Sequence, residues 1–278
     1  MVDLFDTHCH THEMVRRTTP VYDKWRSDGL ERNPDEVIVT AKQAGVNRML
    51  CIGTTLADSE LAIEFVARRK GLWASIGIHP HEAADHLDEA SKKRFAALAT
   101  SPKVVAVGEC GLDYFYNHSP REAQIEMLKF HIELALEHNL PLSFHVREAF
   151  DDFWPIFESY QSAGQQIRGV LHSFTDNQAN LERAIGHGLY IGVNGIATFA
   201  KSPENSVIYR TIPQHLLLLE TDAPFLTPAP FRGKVCESKH VAVTAEFLSG
   251  LREQNLDDFA ASTTANALQL FQDVTKYA

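Results

Sequence analysis

The chain alternates between short apolar runs and longer stretches in which apolar residues recur at helical spacing. The apolar runs are nearly continuous and rich in β-branched residues, which is typical of parallel strands that are covered on both faces. We predict eight strands: VDLF (2–5), RMLCI (48–52), WASIGI (73–78), VVAVG (104–108), PLSFH (141–145), GVLH (169–172), LYIGV (189–193) and LLLLE (216–220).

The segments between these strands carry helix signals. Asn33-Pro34-Asp35-Glu36 predicts an N-cap, a first-turn proline and a capping glutamate, and Gly45 predicts the end of that helix. Ser119-Pro120-Arg121-Glu122 predicts a second helix start of the same kind. Because every interval between strand ends can hold one helical return, we predict a single domain over 1–278. Its expected class is a slightly distorted (β/α)8 TIM barrel, with an open doubly wound sheet as the alternative.

Composition narrows the class of protein. Of the 278 residues, 44% are hydrophobic, which is enough for a large core, and no apolar run approaches the ~20 residues of a membrane helix. The formal charge of −10 argues against broad binding to duplex nucleic acid. The first residues lack the features of a secretory signal, and four scattered cysteines predict buried thiols. We therefore expect a cytoplasmic protein with no membrane association and no obligate protein partner.

Polar residues stand where the predicted strands end. His8 and His10 follow the first strand, and alternate residues of an extended segment point to the same side. Two such imidazoles can bind one metal ion, although the pair alone is weak evidence. The C-terminal ends of barrel strands surround one open mouth, where further ligands would converge. Four more candidate ligands stand at the ends of other strands: Glu109, His145, His172 and Asp222.

Six ligands suit two divalent ions better than one. Mixed imidazole and carboxylate ligation favours Zn, Mn, Fe, Co or Ni over Mg. Two ions can share a hydroxide, and Asp222 would accept its proton, so that Asp222 and the bridging Glu109 are the expected catalytic residues. The expected arrangement places His8, His10 and Asp222 on one ion and His145 and His172 on the other, with Glu109 bridging.

Several motifs closely resemble those of the TatD-type metal-dependent hydrolases, the TatD DNase family, which is related to the amidohydrolase and phosphotriesterase barrels. The resemblance runs nearly end to end and implies a distorted TIM barrel, a dinuclear metal site at the same six positions, and activity as a metal-dependent DNase. The matching motifs are FDTHCH (5–10), SIGIHPH (75–81), VAVGECGLDY (105–114), LSFHVREA (142–149), GVLHSFT (169–175), YIGVNG (190–195), LLLETDAPFLTP (217–228), FRGK (231–234) and TTANALQLF (263–271).

The chain departs from this family in two loops. Thr11-His12-Glu13 stands where the family usually has an apolar residue and then Asp. We expect His12 to be a solvated loop residue, and a contact with a metal ion is the alternative. Cys236-Glu237-Ser238 stands where the family usually has Asn-Glu-Pro, which weakens the inferred contact of Arg232 with substrate.

Further residues are candidates for holding the substrate. His79 and Arg147 stand at strand ends, where they would contact phosphate; a packed histidine and a structural salt bridge are the alternatives. Arg232 is a third candidate for contacting phosphate. Trp25 would stack on a base from a lid formed by the loop 11–33, or else pin that loop to the barrel. Two carboxylates, Glu220 and Asp6, are expected to orient ligand histidines.

The leading functional hypothesis is phosphodiester hydrolysis, in which a two-metal-activated hydroxide attacks single-stranded DNA or frayed DNA ends. The first alternative is a metal-dependent hydrolase of a carbonyl compound, such as a lactone, a cyclic amide or an aminoacyl ester, because the ligand set does not separate these reactions. A second alternative is a non-catalytic metal-binding barrel. DNA as the substrate is implied by the resemblance alone.

Overall fold

All eight predicted strands are present in the computed structural model, which describes residues 2–200, 203–272 and 274. The strands belong to one sheet and follow one another in chain order. Their bounds are β1 Leu4–Cys9, β2 Val46–Ile52, β3 Leu72–Ile76, β4 Val104–Asp113, β5 Leu142–Arg147, β6 Gly169–Leu171, β7 Tyr190–Val193 and β8 Leu217–Leu219.

At least one α-helix stands between each strand and the next, which confirms the predicted (β/α)8 class. Within the described ranges, no helix is both long and apolar enough to cross a membrane. The helices are α1 Pro20–Trp25, α2 Pro34–Gln43, α3 Leu56–Val66, α4 Glu89–Leu98, α5 Arg121–His138, α6 Phe150–Ser162, α7 Gln178–Gly186, α8 Pro203–Thr211, α9 Val241–Leu251 and α10 Leu256–Leu270.

The chain divides into two compact units. Among the described residues, the first comprises those up to Cys51 together with those of Ser173–Gln269, and the second comprises Ile52–His172 together with those from Leu270 onward. In the first unit, β1 pairs with β2 and β7 with β8, and a parallel bridge joins Cys9 of β1 to Ala223. In the second unit, β3, β4, β5 and β6 pair in that order. All these pairings are parallel. The single domain over 1–278 stays a prediction.

The start and end of α2 follow the sequence signals. The side chain of Asn33 accepts a hydrogen bond from the backbone N–H of Asp35, and Pro34 occupies the first turn. Gly45 ends the segment with φ of 87°. A Cβ atom at this position would lie 2.6 Å from the carbonyl oxygen of Val2, so both the backbone angle and the space require glycine.

The start of α5 differs from the prediction. Pro120 is the N-cap and no side chain caps the helix. The hydroxyl of Ser119 instead donates to the carbonyl oxygen of His81 at 2.7 Å and accepts from the N–H of Ala84 at 3.2 Å. The predicted role of Ser119 as a helix cap is therefore wrong, because its hydroxyl ties the preceding loop to the segment that follows β3.

Strand β4 is longer than predicted and continues five residues past Gly108 to Asp113. All ten of its residues are buried. Gly111 makes the continuation possible, because a Cβ atom there would lie 1.8 Å from the carbonyl oxygen of His145 in the neighbouring strand. The end of β4 therefore lies against β5 through glycine backbone, which brings the polar residues of both strands together.

Candidate metal centre

Backbone hydrogen bonds hold the ligand-bearing ends of β1 and β8 in the first unit. The N–H of Asp222 donates to the carbonyl oxygen of His8, and the N–H of His10 donates to the carbonyl oxygen of Ala223, each at 2.8 Å. Strand β1 continues through His8 to Cys9, beyond its predicted end. The sequence positions that carry the candidate ligands are thus fixed by main-chain contacts within this unit.

Three candidate ligands meet in the first unit. The Nε2 atoms of His8 and His10 lie 3.7 and 3.4 Å from Oδ1 of Asp222. One ligand atom from each of the three residues lies within 4.8 Å of the other two. Both imidazoles are buried and the carboxylate is half-buried. Two nitrogens and one carboxylate oxygen at this separation fit a divalent transition-metal ion, since imidazole and carboxylate are its usual ligands.

Asp6 supports this cluster through the backbone. Its carboxylate accepts hydrogen bonds from the N–H of Thr221 at 2.9 Å and from the Thr221 hydroxyl at 2.7 Å. The residue is fully buried, and burial raises its pKa well above the usual range. The backbone N–H of His8 lies 3.4 Å from Oδ1 of Asp6. Asp6 therefore holds the peptide that precedes Asp222 and contacts His8 through its main chain.

Glu220 is the second carboxylate that the sequence predicted as an orienting group. It is buried in the first unit, where its Oε1 accepts from the N–H of Ser173 at 2.7 Å and from the side-chain amide of Asn194 at 3.2 Å. These bonds fix the carboxylate. Its predicted action on a ligand histidine stays a prediction.

In the second unit, histidine side chains surround the buried carboxylate of Glu109. Measured to Oε1 of Glu109, Nδ1 of His145 lies at 2.9 Å, Nε2 of His79 at 3.6 Å and Nε2 of His172 at 3.8 Å. Ligand atoms of His79, Glu109 and His145 all lie within 4.8 Å of one another. His79, which the sequence assigned to substrate, is thus placed with the candidate metal ligands.

The imidazoles of this cluster have pKa values shifted in opposite directions. Burial lowers the pKa of His79 well below its usual value. Burial also disfavours the charged form of His145, but its hydrogen bonds to Asp113 and Glu109 outweigh this and raise its pKa. Before metal binds, the environment therefore favours a neutral His79 and a cationic His145 between two carboxylates.

Asp113 is a site residue that the sequence reasoning missed. Its Oδ2 lies 3.0 Å from Nε2 of His145 and 3.0 Å from Nε2 of His81, so it bonds to both rings. Burial opposes ionisation, but these bonds lower the pKa of Asp113 far below its usual value. Residues 109, 111 and 113 alternate along one strand, so period-two spacing would have placed Asp113 beside Glu109 had β4 been extended. A carboxylate in this place would orient His145 if that imidazole binds a metal ion.

The two arginines predicted to contact substrate are exposed, and each lies over an aromatic ring. The guanidinium carbon of Arg147 is 4.1 Å from the ring centre of Phe115. That of Arg232 is 3.6 Å from the ring centre of Phe199. Such stacking leaves the guanidinium edge of Arg147 pointing past the ring, where it could donate to an anion, whereas Nη1 of Arg232 donates to the carbonyl oxygen of Thr227 at 3.5 Å. The predicted contacts of both arginines with substrate stay predictions.

For the segment 11–33, base stacking by Trp25 and a solvated His12 are wrong, and the alternative in which Trp25 pins the segment agrees with the structure. Trp25 is only 1% exposed, and its indole N–H donates to the carbonyl oxygen of His10 at 3.2 Å, so no ring face is open for a base. The indole instead pins the segment beside a candidate ligand. His12 is completely buried rather than solvated, because Thr11–Val15 folds into a 3-10 helix whose first four residues are buried.

Comparisons with known proteins identify the family. The model of the TatD related DNase family matches residues 5–272. The chain belongs to this family. YabD of Bacillus subtilis, named an uncharacterized metal-dependent hydrolase, is 33% identical over 269 residues, which are 97% of this chain and 99% of YabD. The 3'-5' ssDNA/RNA exonuclease TatD of Cronobacter sakazakii is 35% identical over 254 residues, which are 88% of this chain and 94% of that protein.

A solved structure supports the same assignment. The crystal structure of YJJV, a TatD homologue from Escherichia coli, matches with a TM-score of 0.83 and 26% identity, and covers 97% of this chain and 98% of YJJV. The predicted TatD-type (β/α)8 fold, the family and the class of metal-dependent hydrolase acting on ester bonds are therefore confirmed.

Proposed function

We propose that this TatD-family protein is a metal-dependent DNase that hydrolyses phosphodiester bonds in single-stranded DNA or at frayed ends. The proposal is carried by one observation: two clusters of buried and half-buried imidazoles and carboxylates occupy a chain that matches the TatD related DNase model. A relative named a 3'-5' ssDNA/RNA exonuclease supports the single-stranded substrate. The formal charge of −10 also favours strand ends over intact duplex. The proposed location is the cytoplasm.

We propose that each cluster takes one divalent ion. In the first unit the ligands would be His8, His10 and Asp222. In the second unit they would be Glu109, His145 and His172, with His79 as a further donor. Ions held there would polarise a phosphoryl oxygen and lower the pKa of water. That Glu109 bridges two ions stays a prediction.

Asp222 is the proposed proton acceptor for the attacking water. Its carboxylate is half-buried, so it can reach both a bound ion and the substrate. The Nε2 atoms of His8 and His10 lie 3.7 and 3.4 Å from its Oδ1, so the carboxylate stands beside the candidate ligands of the first unit. The backbone N–H of Thr221 donates to Asp6, which holds the main chain just before Asp222. General-base catalysis of this kind contributes about 10²–10⁴-fold to a rate.

The test uses metal-stripped protein reloaded separately with Mn, Zn and Mg. Each form is offered end-labelled single-stranded DNA, duplex DNA and a panel of lactones. We expect metal to restore turnover of single-stranded DNA and not of lactones. Turnover of lactones alone would show that the carbonyl reaction is the true activity.

The role of Asp222 is tested in the same assay. Asp222→Asn should lose about 10²-fold or more of the turnover while the second cluster still binds metal. Asp257→Asn, an exposed change at the start of α10, is the matched control and should behave like the wild type. A near-normal rate for Asp222→Asn would remove it from the mechanism.

A further inference from the structure

The loop between β4 and α5 presents exposed aromatic side chains. Phe115 is 50% exposed and Tyr116 is 51% exposed, and their rings meet edge to face with centres 4.8 Å apart. The ring of His118 lies almost parallel to that of Tyr116, at an interplanar angle of 4°. These neighbouring rings therefore offer exposed flat apolar surface on which another planar group could pack.

Arg147 adds a positive charge to these rings. Its guanidinium carbon is 4.1 Å from the ring centre of Phe115 and 4.8 Å from that of Tyr116. Arg147 is the last residue of β5 and stands two residues after His145, which is roughly 7 Å along a strand. We call Phe115, Tyr116, His118 and Arg147 the aromatic platform. It therefore begins about one side-chain length from a candidate metal ligand.

The platform stands on a loop that is held at its start. The N–H of Tyr114 donates to the carbonyl oxygen of Arg147 at 3.0 Å, and the Tyr114 hydroxyl donates to Asp152 at 2.7 Å. The N–H of Tyr116 donates to Oδ1 of Asp113 at 2.9 Å. Asp113 thus bonds both to the platform and to His145. A loop fixed in this way loses little conformational entropy when a ligand binds.

We propose that the aromatic platform stacks on an unpaired base of a single-stranded nucleic acid while Arg147 contacts the neighbouring phosphate. This inference rests on the proposed function and adds to it how the strand is held. Base stacking tolerates any sequence, because every base has a flat π face. A planar guanidinium can lie on a ring and still offer its edge to a phosphate. In a protein of net charge −10, this local pairing supplies an attraction for a polyanion that the whole surface lacks.

The test compares two oligonucleotides of equal length and charge: one carries a base at every position, and the other has abasic sites near the cleaved end. KM is measured for the metal-loaded enzyme. For Phe115→Ala and Tyr116→Ala we expect KM on the base-bearing strand to rise by about 5- to 150-fold for each base that loses stacking. The rise on the abasic strand should be much smaller. Tyr116→Phe retains the ring, and its KM should stay close to that of the wild type.

Tyr160→Ala is the matched control, since this half-buried tyrosine of the second unit stands near the C-terminal end of α6. It should leave both KM values unchanged. Equal effects of the platform variants on the two oligonucleotides, or no effect, would overturn the inference. A change in oligomeric state by light scattering as their sole consequence would also overturn it. If the wild type cleaves neither strand, the proposed function fails, while fluorescence anisotropy with the same oligonucleotides still tests the platform.

Discussion

His131 lies in the middle of α5 with no exposed surface, and both of its ring nitrogens are hydrogen-bonded. Nδ1 donates to the carbonyl oxygen of Met127 at 2.7 Å, and Nε2 accepts from the N–H of Ile78 at 3.0 Å. Only the neutral ring can do both, and burial lowers the pKa of His131 to about 4. Because Ile78 precedes His79, protonation of His131 would break a bond that fixes the backbone beside a candidate ligand.

The loss of folding stability on acidification follows from the pKa values of His131 in the folded and unfolded states. Its pKa in the unfolded chain is about 6.5, so the unfolded state takes up the proton first as the pH falls. The stabilisation is complete above about pH 6.5 and is lost as the pH falls towards the folded-state pKa of about 4. Between about pH 7.5 and about pH 4.5, this one group should remove roughly 2–3 kcal/mol from the free energy of unfolding.

The assay is urea denaturation of metal-free protein at both pH values, for the wild type and for His131→Phe. The variant starts less stable by about 1–3 kcal/mol, because the N–H of Ile78 loses its acceptor. It should then lose roughly 2–3 kcal/mol less on acidification than the wild type. His138→Phe, in the last turn of the same helix, should keep the wild-type pH dependence. Equal losses for His131→Phe and the wild type would refute the reasoning.

Three further substitutions test the site and its support. Asp113→Asn should weaken Mn binding by roughly 10- to 100-fold, because it removes the carboxylate that orients His145. An unchanged affinity in calorimetric titration would contradict this role. Gly111→Ala should lower the urea midpoint far more than Gly164→Ala. Gly164 also has a positive φ, but no atom lies within 4 Å of a Cβ placed there. Equal effects would refute the close approach of Gly111 to β5. Trp25→Ala should remove about 3–5 kcal/mol of stability, measured in the same denaturation, and a loss under about 1 kcal/mol would show that the indole does not pack as described.

The strands could be predicted because buried parallel strands are almost continuously apolar. The same criterion of continuous apolar residues failed to predict the second half of β4. After Gly108 the strand continues through Glu109, Gly111 and Asp113, and glycines and carboxylates are poor strand formers in isolation. The strand persists because glycine backbone lies against β5. Asp113 was missed for this reason, although its spacing from Glu109 places both on one side.

The sequence could not decide between the two roles offered for Trp25, and it did not predict the burial of His12. The partner of the Trp25 indole N–H is a backbone carbonyl, and every residue carries one, so no side chain marks the contact. His12 is buried because the segment that follows β1 turns into a 3-10 helix, which no apolar repeat announces. The candidate ligand positions could be selected from the sequence because each stands at or just after the end of a predicted strand, and their binding of metal stays a prediction.

The paired main-chain bonds between β1 and the segment after β8 have a consequence for how the protein would exchange its cations. Hydrogen bonds between backbone groups of His8, His10, Asp222 and Ala223 fix the distance between these two segments. None of the bonded atoms is a candidate metal ligand. The free energy of cation binding would therefore not be needed to fold this part of the chain. Small zinc modules differ, because they unfold when the metal is removed. The protein could lose one kind of divalent cation and acquire another with its architecture intact, so that supply in the surroundings, rather than folding, would decide which element it carries.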